Sequence, residues 1–186
     1  MRKGLLTLAL VCAAFVVAAP TAIPKTPKQD SVFGSGVRAP SCSEGCPAGT
    51  FSFNATSGPN GANPSGTFFA DFEGYASFTG NVTCLHVSGH TATLVGQIST
   101  GTGAADAAGG DPFWYAVVIR DNGSAKPKAS SPDQMSLIGW DTEANWANSE
   151  VNPPGFTLAQ VCADPVGALG DTMFGLVSGD LTVIDK

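Results

Sequence analysis

Basic residues are scarce in this sequence, and their scarcity excludes one broad class of partner. Lysine and arginine number 9 against 15 aspartates and glutamates, and charged residues make up only 13% of the 186 positions. No segment gathers the basic residues into the patch or stripe that nucleic-acid-binding proteins use to neutralise phosphates. We therefore expect no nucleic-acid partner, and the same shortage argues against an anionic lipid surface.

Long apolar runs are also missing, except at the N-terminus. Residues 5–17 are apolar but too few to span a bilayer, and they follow Arg2 and Lys3 and precede small residues. This order is typical of a secretory signal peptide over residues 1–18, with Ala19 as the first mature residue. Processing would leave 7 basic residues against 15 acidic ones, a formal charge of −8. We expect a secreted, extracellular protein with no membrane span.

Motifs that bind cofactors or activate nucleophiles are absent as well. The sequence has no P-loop, no dinucleotide-binding glycine fingerprint and no G-x-S-x-G elbow. It also has no segment with a convincing helical period. We therefore expect no cofactor, and a non-enzymatic role is favoured over an enzymatic one.

Cysteines are few, and their number is informative once the signal peptide is set aside. Four remain, namely Cys42, Cys46, Cys84 and Cys162. An even number in an oxidising compartment favours disulfides, for which three pairings exist. We favour Cys42–Cys46, a small local loop, together with Cys84–Cys162. A zinc site is the alternative, but the paired C-x2-C spacing of zinc knuckles is missing, so we expect no metal.

The chain divides into an N-terminal linker and one domain. Residues 19–41 include several prolines and lysines and show no periodicity, which predicts a disordered linker. Residues 42–186 then form the domain, and this length is sufficient to bury a real core.

Within the domain the apolar pattern has a period of two. From Thr67 to Phe78 the even positions are apolar or small and most odd ones are polar, which predicts one strand with a bulge or bend at Gly74. Residues 113–120 are apolar on both faces, as in a central strand. Shorter predicted strands are Thr50–Asn54, Gln134–Trp140, Leu158–Cys162 and Gly175–Asp185, the last with Val177, Gly179, Leu181 and Val183 on one face. Turn residues separate these runs, which predicts an all-β fold, an antiparallel β-sandwich or partly closed barrel of about eight strands.

One hairpin can be predicted in register. Gly89 and His90 suit a two-residue type II′ turn, in which glycine takes the positive φ. Ser88 would then pair with Thr91, and an apolar face would form. That face comprises Leu85, Val87, Ala92 and Leu94, with Cys84, His86, Thr93 and Val95 on the other.

The residues Gly80-Asn81-Val82-Thr83-Cys84-Leu85, with Val87, Gly89 and the later Asp121-Asn122-Gly123, carry a resemblance. The segment resembles a β-rich domain of secreted proteins of actinobacterial type, which has a VTCL-x-V-x-G hairpin and a later aromatic-to-cysteine segment. The resemblance covers roughly residues 51–186. It implies a β-sandwich-like fold and secretion, supports the Cys84–Cys162 pair, and implies no catalytic residue.

The best candidate binding surface is the segment around Trp140, Asp141 and Trp146. Flat aromatic rings flanked by amides and carboxylates are typical of surfaces that recognise sugars or peptides. These residues predict a binding or structural module whose extracellular partner is a glycan or another cell-surface component. The alternative is that one or both tryptophans cap the open end of the core.

Other constellations give weaker hypotheses. Asp71 and Glu73, two apart on one predicted strand, could supply the acid and the nucleophile or base of a glycoside hydrolase, which is the alternative function, although a solvated outer face is the favoured explanation. His86 and His90 are spaced for a helix and not for a β-turn, so we expect no metal site there. Asp106 and Asp111 lie among glycines, but the dense acidic spacing of calcium loops is missing.

Overall fold

The computed structural model describes residues 28–38, 48–106, 111–123, 132–148, 157–164 and 172–186. These residues form a closed antiparallel β-barrel with two short helices on its outside. The strands are β1 Asp30–Arg38, β2 Gly49–Ser57, β3 Ser65–Phe72, β4 Ala76–Ser88, β5 Thr91–Gly103, β6 Phe113–Arg120, β7 Gln134–Ser136, β8 Gly139–Thr142 and β9 Met173–Ile184; the helices are α1 Glu143–Asn148 and α2 Leu158–Ala163. The all-β prediction is confirmed, and the barrel is the correct alternative of the two.

The barrel has eight strand positions, because β7 and β8 share one of them. Strands β1 to β6 pair in chain order, and β7 and β8 both pair with the other side of β6, one after the other along its length. Strand β9 pairs with β7 on one side and with β1 on the other, which closes the ring. Among the described strands only β8 is paired on one side alone, with β6. Beyond its short pairing with β7, strand β9 is held by carboxylates, because the N–H groups of Leu181 and Val183 donate to the side chains of Asp133 and Asp121.

Aromatic rings fill the inside of the barrel. Alternate residues of each strand point inward, and they form one continuous core. The ring centroids of Phe53 and Phe68 lie 6.1 Å apart, those of Phe68 and Phe78 6.0 Å, and those of Phe68 and Tyr115 4.9 Å. The middle of the barrel is therefore packed with side chains and is not a channel.

The hairpin predicted between β4 and β5 is confirmed in register. Ser88 pairs with Thr91, Val87 with Ala92 and Leu85 with Leu94. Gly89 has φ of +59°, as the first position of a type II′ turn requires. Leu85 and Leu94 point into the core while His86 is exposed on the outside.

The strand predicted over Thr67–Phe78 is wrong in its continuity. The chain turns back at residues 73–75, where the N–H of Tyr75 donates to the Phe72 carbonyl at 2.8 Å, and β3 and β4 form a hairpin. Phe72 faces Ala76 across this turn, so even-numbered residues stay inside on both arms. The pattern therefore looks uninterrupted in the sequence although it belongs to two strands.

Strand β1 corrects the predicted domain boundary. Residues 30–38 lie within the segment expected to be a linker, yet β1 pairs along its length with both β2 and β9. The barrel therefore begins upstream of Cys42.

Two further predictions are corrected near the C-terminus. The predicted strand Leu158–Cys162 is the helix α2, which begins with a capping box between Thr157 and Gln160. In β9, an irregularity opposite Val37 and Arg38 leaves Val177 exposed, while Leu181 and Val183 point inward as predicted. Val177 is the extra residue of this bulge, so the inward-facing positions are even-numbered before it and odd-numbered after it.

A second, smaller core lies outside the barrel wall. Helix α2 packs against β4 and β5, and the Cys84–Cys162 disulfide joins it to β4, with the two Cα atoms 6.3 Å apart. Val95 and Ala116 on the outer face of β5 and β6 are buried beneath it. The predicted Cys84–Cys162 pair is confirmed, and so is the burial of β6 on both faces. Cys42 and Cys46 lie outside the described residues, as does the predicted signal peptide.

Candidate functional site

Trp140 lies at one end of the barrel, within a rim of aromatic rings. Its ring centroid is 5.5 Å from that of Phe72, 5.7 Å from that of Phe78 and 6.2 Å from that of Tyr75. The indole is half-buried, and its Nε1 donates to the carbonyl of Ala104 at 3.2 Å. Tyr75 is 54% exposed. We call this region, with Arg38, Phe72, Tyr75 and Trp140, the Trp140 end of the barrel.

Asp141 and Trp146 do not join Trp140 in one surface. Asp141 Oδ1 accepts hydrogen bonds from the backbone of Thr142 and from the Asn145 side chain, both at 2.7 Å, and so fixes the start of α1. Trp146 is only 8% exposed and belongs to the outer core beside Cys162. Trp140 packs against the barrel interior, so the two indoles lie in separate cores. The expected pair of exposed tryptophans is therefore not formed, and Trp146 serves packing.

Arg38, which sequence reasoning missed, is the most unusual residue of the Trp140 end. It is the last residue of β1, faces inward and is only 4% exposed. Its guanidinium carbon lies 5.5 Å from the ring centroid of Phe72 and 5.8 Å from that of Phe174. The Nε and Nη1 atoms are buried and have no hydrogen-bond partner. Burial lowers the pKa of Arg38, because desolvation disfavours its charge.

Arg38 is joined to Trp140 through Phe72. Across the end of the sheet, Arg38 pairs with Gly49, and Gly49 pairs with Phe72. A Cβ at Gly49 would lie 2.6 Å from the Phe72 ring, so the missing side chain lets that ring lie over the strand. The cation, Phe72 and the indole are therefore in contact one after another at the same end.

The Tyr115 side chain fills the barrel interior next to the Trp140 end. Its hydroxyl is buried without a hydrogen-bond partner, and burial raises its pKa well above the ordinary value. A Cβ at Gly96 would lie 2.4 Å from this hydroxyl and 2.2 Å from the Asn81 carbonyl oxygen, so only glycine fits there. Side chains therefore fill the middle of the barrel and leave no space for a ligand there.

The carboxylates and histidines singled out in the sequence are dispersed. Asp71 is exposed on the outer face of β3 and Glu73 is exposed in the following turn, so they do not share a strand as predicted. His86 and His90 are both exposed. Asp106 and Asp111 are exposed on either side of residues that the structure does not describe. Within the described ranges, no three histidine, cysteine, aspartate or glutamate side chains are grouped to hold a metal ion.

The opposite end of the barrel contains a recess of about 290 Å³ beside His90, Arg120 and Asp121. The carboxylates at this end of the barrel already have partners. Asp121 accepts from the backbone N–H groups of Gly123 at 2.7 Å and Val183 at 3.2 Å. Buried Asp133 accepts from Asn122 at 2.9 Å and Leu181 at 2.8 Å. These carboxylates serve to close the barrel end.

Comparison with known proteins adds no relative: no family model, no curated protein and no solved structure matches this chain. The resemblance to the secreted actinobacterial-type domain therefore stays a prediction. Among the described helices, none is long and apolar enough to cross a membrane.

Proposed function

We propose that this chain is a non-enzymatic extracellular binding module and that a small organic ligand docks at the Trp140 end of the barrel. The observation that carries the proposal is the aromatic rim itself. Phe72 and Trp140 stack at the end of a packed barrel, and Tyr75 extends the ring surface toward solvent. Ligand sites in proteins are mostly apolar surfaces with a few placed polar groups, and the mouth of a barrel is a common position for them.

The extracellular setting is supported by the signal-peptide pattern and by the Cys84–Cys162 disulfide, since disulfides persist in oxidising compartments. The glycan partner expected from the sequence depended on two exposed tryptophans, and burial of Trp146 removes one of them. The glycoside-hydrolase alternative gains no support either, because Asp71 is exposed on the outer face of β3 and Glu73 is exposed in the turn that follows. A small ligand at the rim fits the described residues better.

Calorimetric titration of the oxidised mature chain, beginning at Ala19, tests this proposal. The ligand panel contains small aromatic compounds, both neutral and charged, and neutral oligosaccharides. Trp140→Ala removes the central ring of the rim. Trp114→Ala is the matched control, because Trp114 is a half-buried indole on the neighbouring strand β6 that packs into the outer core.

We expect saturable binding of a small aromatic ligand that Trp140→Ala weakens at least tenfold and Trp114→Ala leaves unchanged. Near-ultraviolet circular dichroism confirms that both variants are folded. Absence of saturable binding across the panel, or binding indifferent to Trp140→Ala, would contradict the proposal. Binding of oligosaccharides alone would return the hypothesis to a glycan partner.

A further inference from the structure

The guanidinium of Arg38 is a buried charge that lacks an acceptor. It is 4% exposed, and neither Nε nor Nη1 has a hydrogen-bond partner. A buried donor without a partner destabilises the folded chain, and more so when it is charged. Native proteins therefore pair nearly all such groups. The position of Arg38 at a barrel end makes a bound ligand a natural source of the missing acceptor.

The aromatic neighbours of Arg38 compensate its charge but not its hydrogen bonds. Phe72 and Phe174 lie within cation–π distance, at 5.5 Å and 5.8 Å. Their rings offer no lone pair to the in-plane N–H groups. No carboxylate of the described residues forms an ion pair with Arg38. The site thus combines apolar walls with unused, directional donors.

We propose that Arg38 anchors the carboxylate of a small organic acid with an aromatic or other apolar body. The inference rests on the proposed function and names the ligand class for the same end of the barrel. Each of the two edges through which a guanidinium holds a carboxylate in a bidentate manner contains either Nε or Nη1. A carboxylate on either edge therefore satisfies a donor that is now unpaired, and the apolar body packs on Phe72 and Trp140.

The charge and polarity of the surroundings select this class over related anions. The other described cations, Lys28, Arg120 and Lys186, lie at the opposite end of the barrel, so among the described residues only Arg38 brings a positive charge to the Trp140 end. A single cation suits a monoanion better than a phosphate dianion. A sugar acid needs polar side chains to hydrogen-bond its hydroxyl groups, and the phenyl rings of Phe72 and Phe174 beside Arg38 offer none.

Calorimetry with the oxidised mature chain can separate charge from shape. The probe is 3-phenylpropanoate, and 3-phenylpropanamide is its neutral counterpart of nearly equal shape. Glucuronate and inorganic phosphate complete the set. The variants are Arg38→Gln, which removes the charge, and Arg38→Lys, which keeps it without the planar fork. Arg120→Gln is the matched control, an exposed arginine at the other end.

We expect the acid to bind at least tenfold more tightly than the amide to the unaltered chain and to Arg120→Gln. Arg38→Gln should abolish this difference, and Arg38→Lys should restore it only in part. The Nε–H resonance of Arg38 in the unaltered chain should shift on addition of the acid, a readout that does not depend on a variant folding.

Equal affinity for acid and amide would overturn the carboxylate assignment and leave the proposed function standing. Tighter binding of glucuronate or phosphate than of 3-phenylpropanoate would overturn the apolar body. Failure of every ligand, including the neutral aromatic compounds, would overturn the inference and the proposed function together.

Discussion

Replacing Arg38 with methionine should stabilise the unliganded protein. The change removes a buried charge with two unpaired donor atoms and fills the space with an apolar side chain of similar length. Relief of two unpaired donors is worth about 2–6 kcal/mol. Loss of the contacts with Phe72 and Phe174 offsets about 0.5–2 kcal/mol each. At the midpoints of these ranges the net expectation is a gain of about 1–2 kcal/mol, in line with the behaviour of other buried charges replaced by apolar groups.

Urea unfolding of Arg38→Met and of the unaltered chain measures this difference directly. In thermal unfolding, a gain of 1 kcal/mol raises the Tm of a domain of this size by about 2–4 °C. Arg120→Met, at an exposed position, should stay within about 0.5 kcal/mol of the unaltered chain. Added 3-phenylpropanoate should stabilise the unaltered chain and not Arg38→Met. Destabilisation of Arg38→Met by more than about 1 kcal/mol would refute this argument, because it would mean that the guanidinium is well paired in the folded chain.

Other predictions concern the framework around the site. Burial raises the pKa of Tyr115, so above about pH 10 this side chain loses its proton in the unfolded chain and keeps it in the folded chain. The free energy of unfolding, measured with urea, should therefore fall by about 1.4 kcal/mol per pH unit above about pH 10. Tyr115→Phe should abolish that slope, and retention of the slope would contradict the assignment. Gly96→Ala should destabilise the barrel by about 1–3 kcal/mol or more, since its methyl group would meet the Asn81 carbonyl; an unchanged urea midpoint would argue against that contact. Replacing both Cys84 and Cys162 with alanine should cost about 4 kcal/mol of stability, because the disulfide closes a loop with a sequence separation of 78 and so restricts the unfolded chain. A loss below about 1 kcal/mol would contradict this entropic account. Asp133→Asn should cost about 1–3 kcal/mol in the same assay, since one of two backbone N–H groups loses its acceptor, and equal stability would mean that neither bond contributes.

The sequence predicted those parts of the fold in which alternation and turn chemistry agree. The β4–β5 hairpin has a glycine turn, a regular apolar face and a cysteine, and all three are found as expected. The β3–β4 turn was missed because a three-residue turn between Phe72 and Ala76 preserves the parity of the pattern. Alternation identifies which residues face inward, but it does not reveal where one strand ends and the next begins.

Elements with weak apolar patterns were missed. In β1 the inward positions include Gly34 and Gly36, because a Cβ at either would lie within 2.6 Å of a backbone carbonyl of β9. Close approach of two strands thus removes the hydrophobic signal that would have marked the strand. Helix α2 did carry a readable signal, the spacing Thr157-x-x-Gln160 of a capping box, in a segment too short to show a helical period.

The candidate site was only partly predictable. Trp140 was selected from its aromatic and polar neighbours in sequence and stays a candidate, but the same logic chose Trp146, which the outer core buries. Nothing near Arg38 in the sequence marks it as buried, since its partners Phe72, Phe174 and Gly49 come from distant strands. The Arg38 guanidinium comes to lie between Phe72 and Phe174 only when the strands that carry them meet in the closed barrel.

The seam between β1 and β9 has a consequence for how the protein folds. Ser31 pairs with Ile184, and the N–H of Lys186 donates to Asp30, so the seam joins residues from the two extremes of the described chain. Contacts between residues so distant in sequence form late. Until then β1 and β9 are open edges that can pair with another molecule. We expect refolding yield to fall with protein concentration, and a synthetic β9 peptide added early to slow closure; insensitivity to both would mean that the seam forms early.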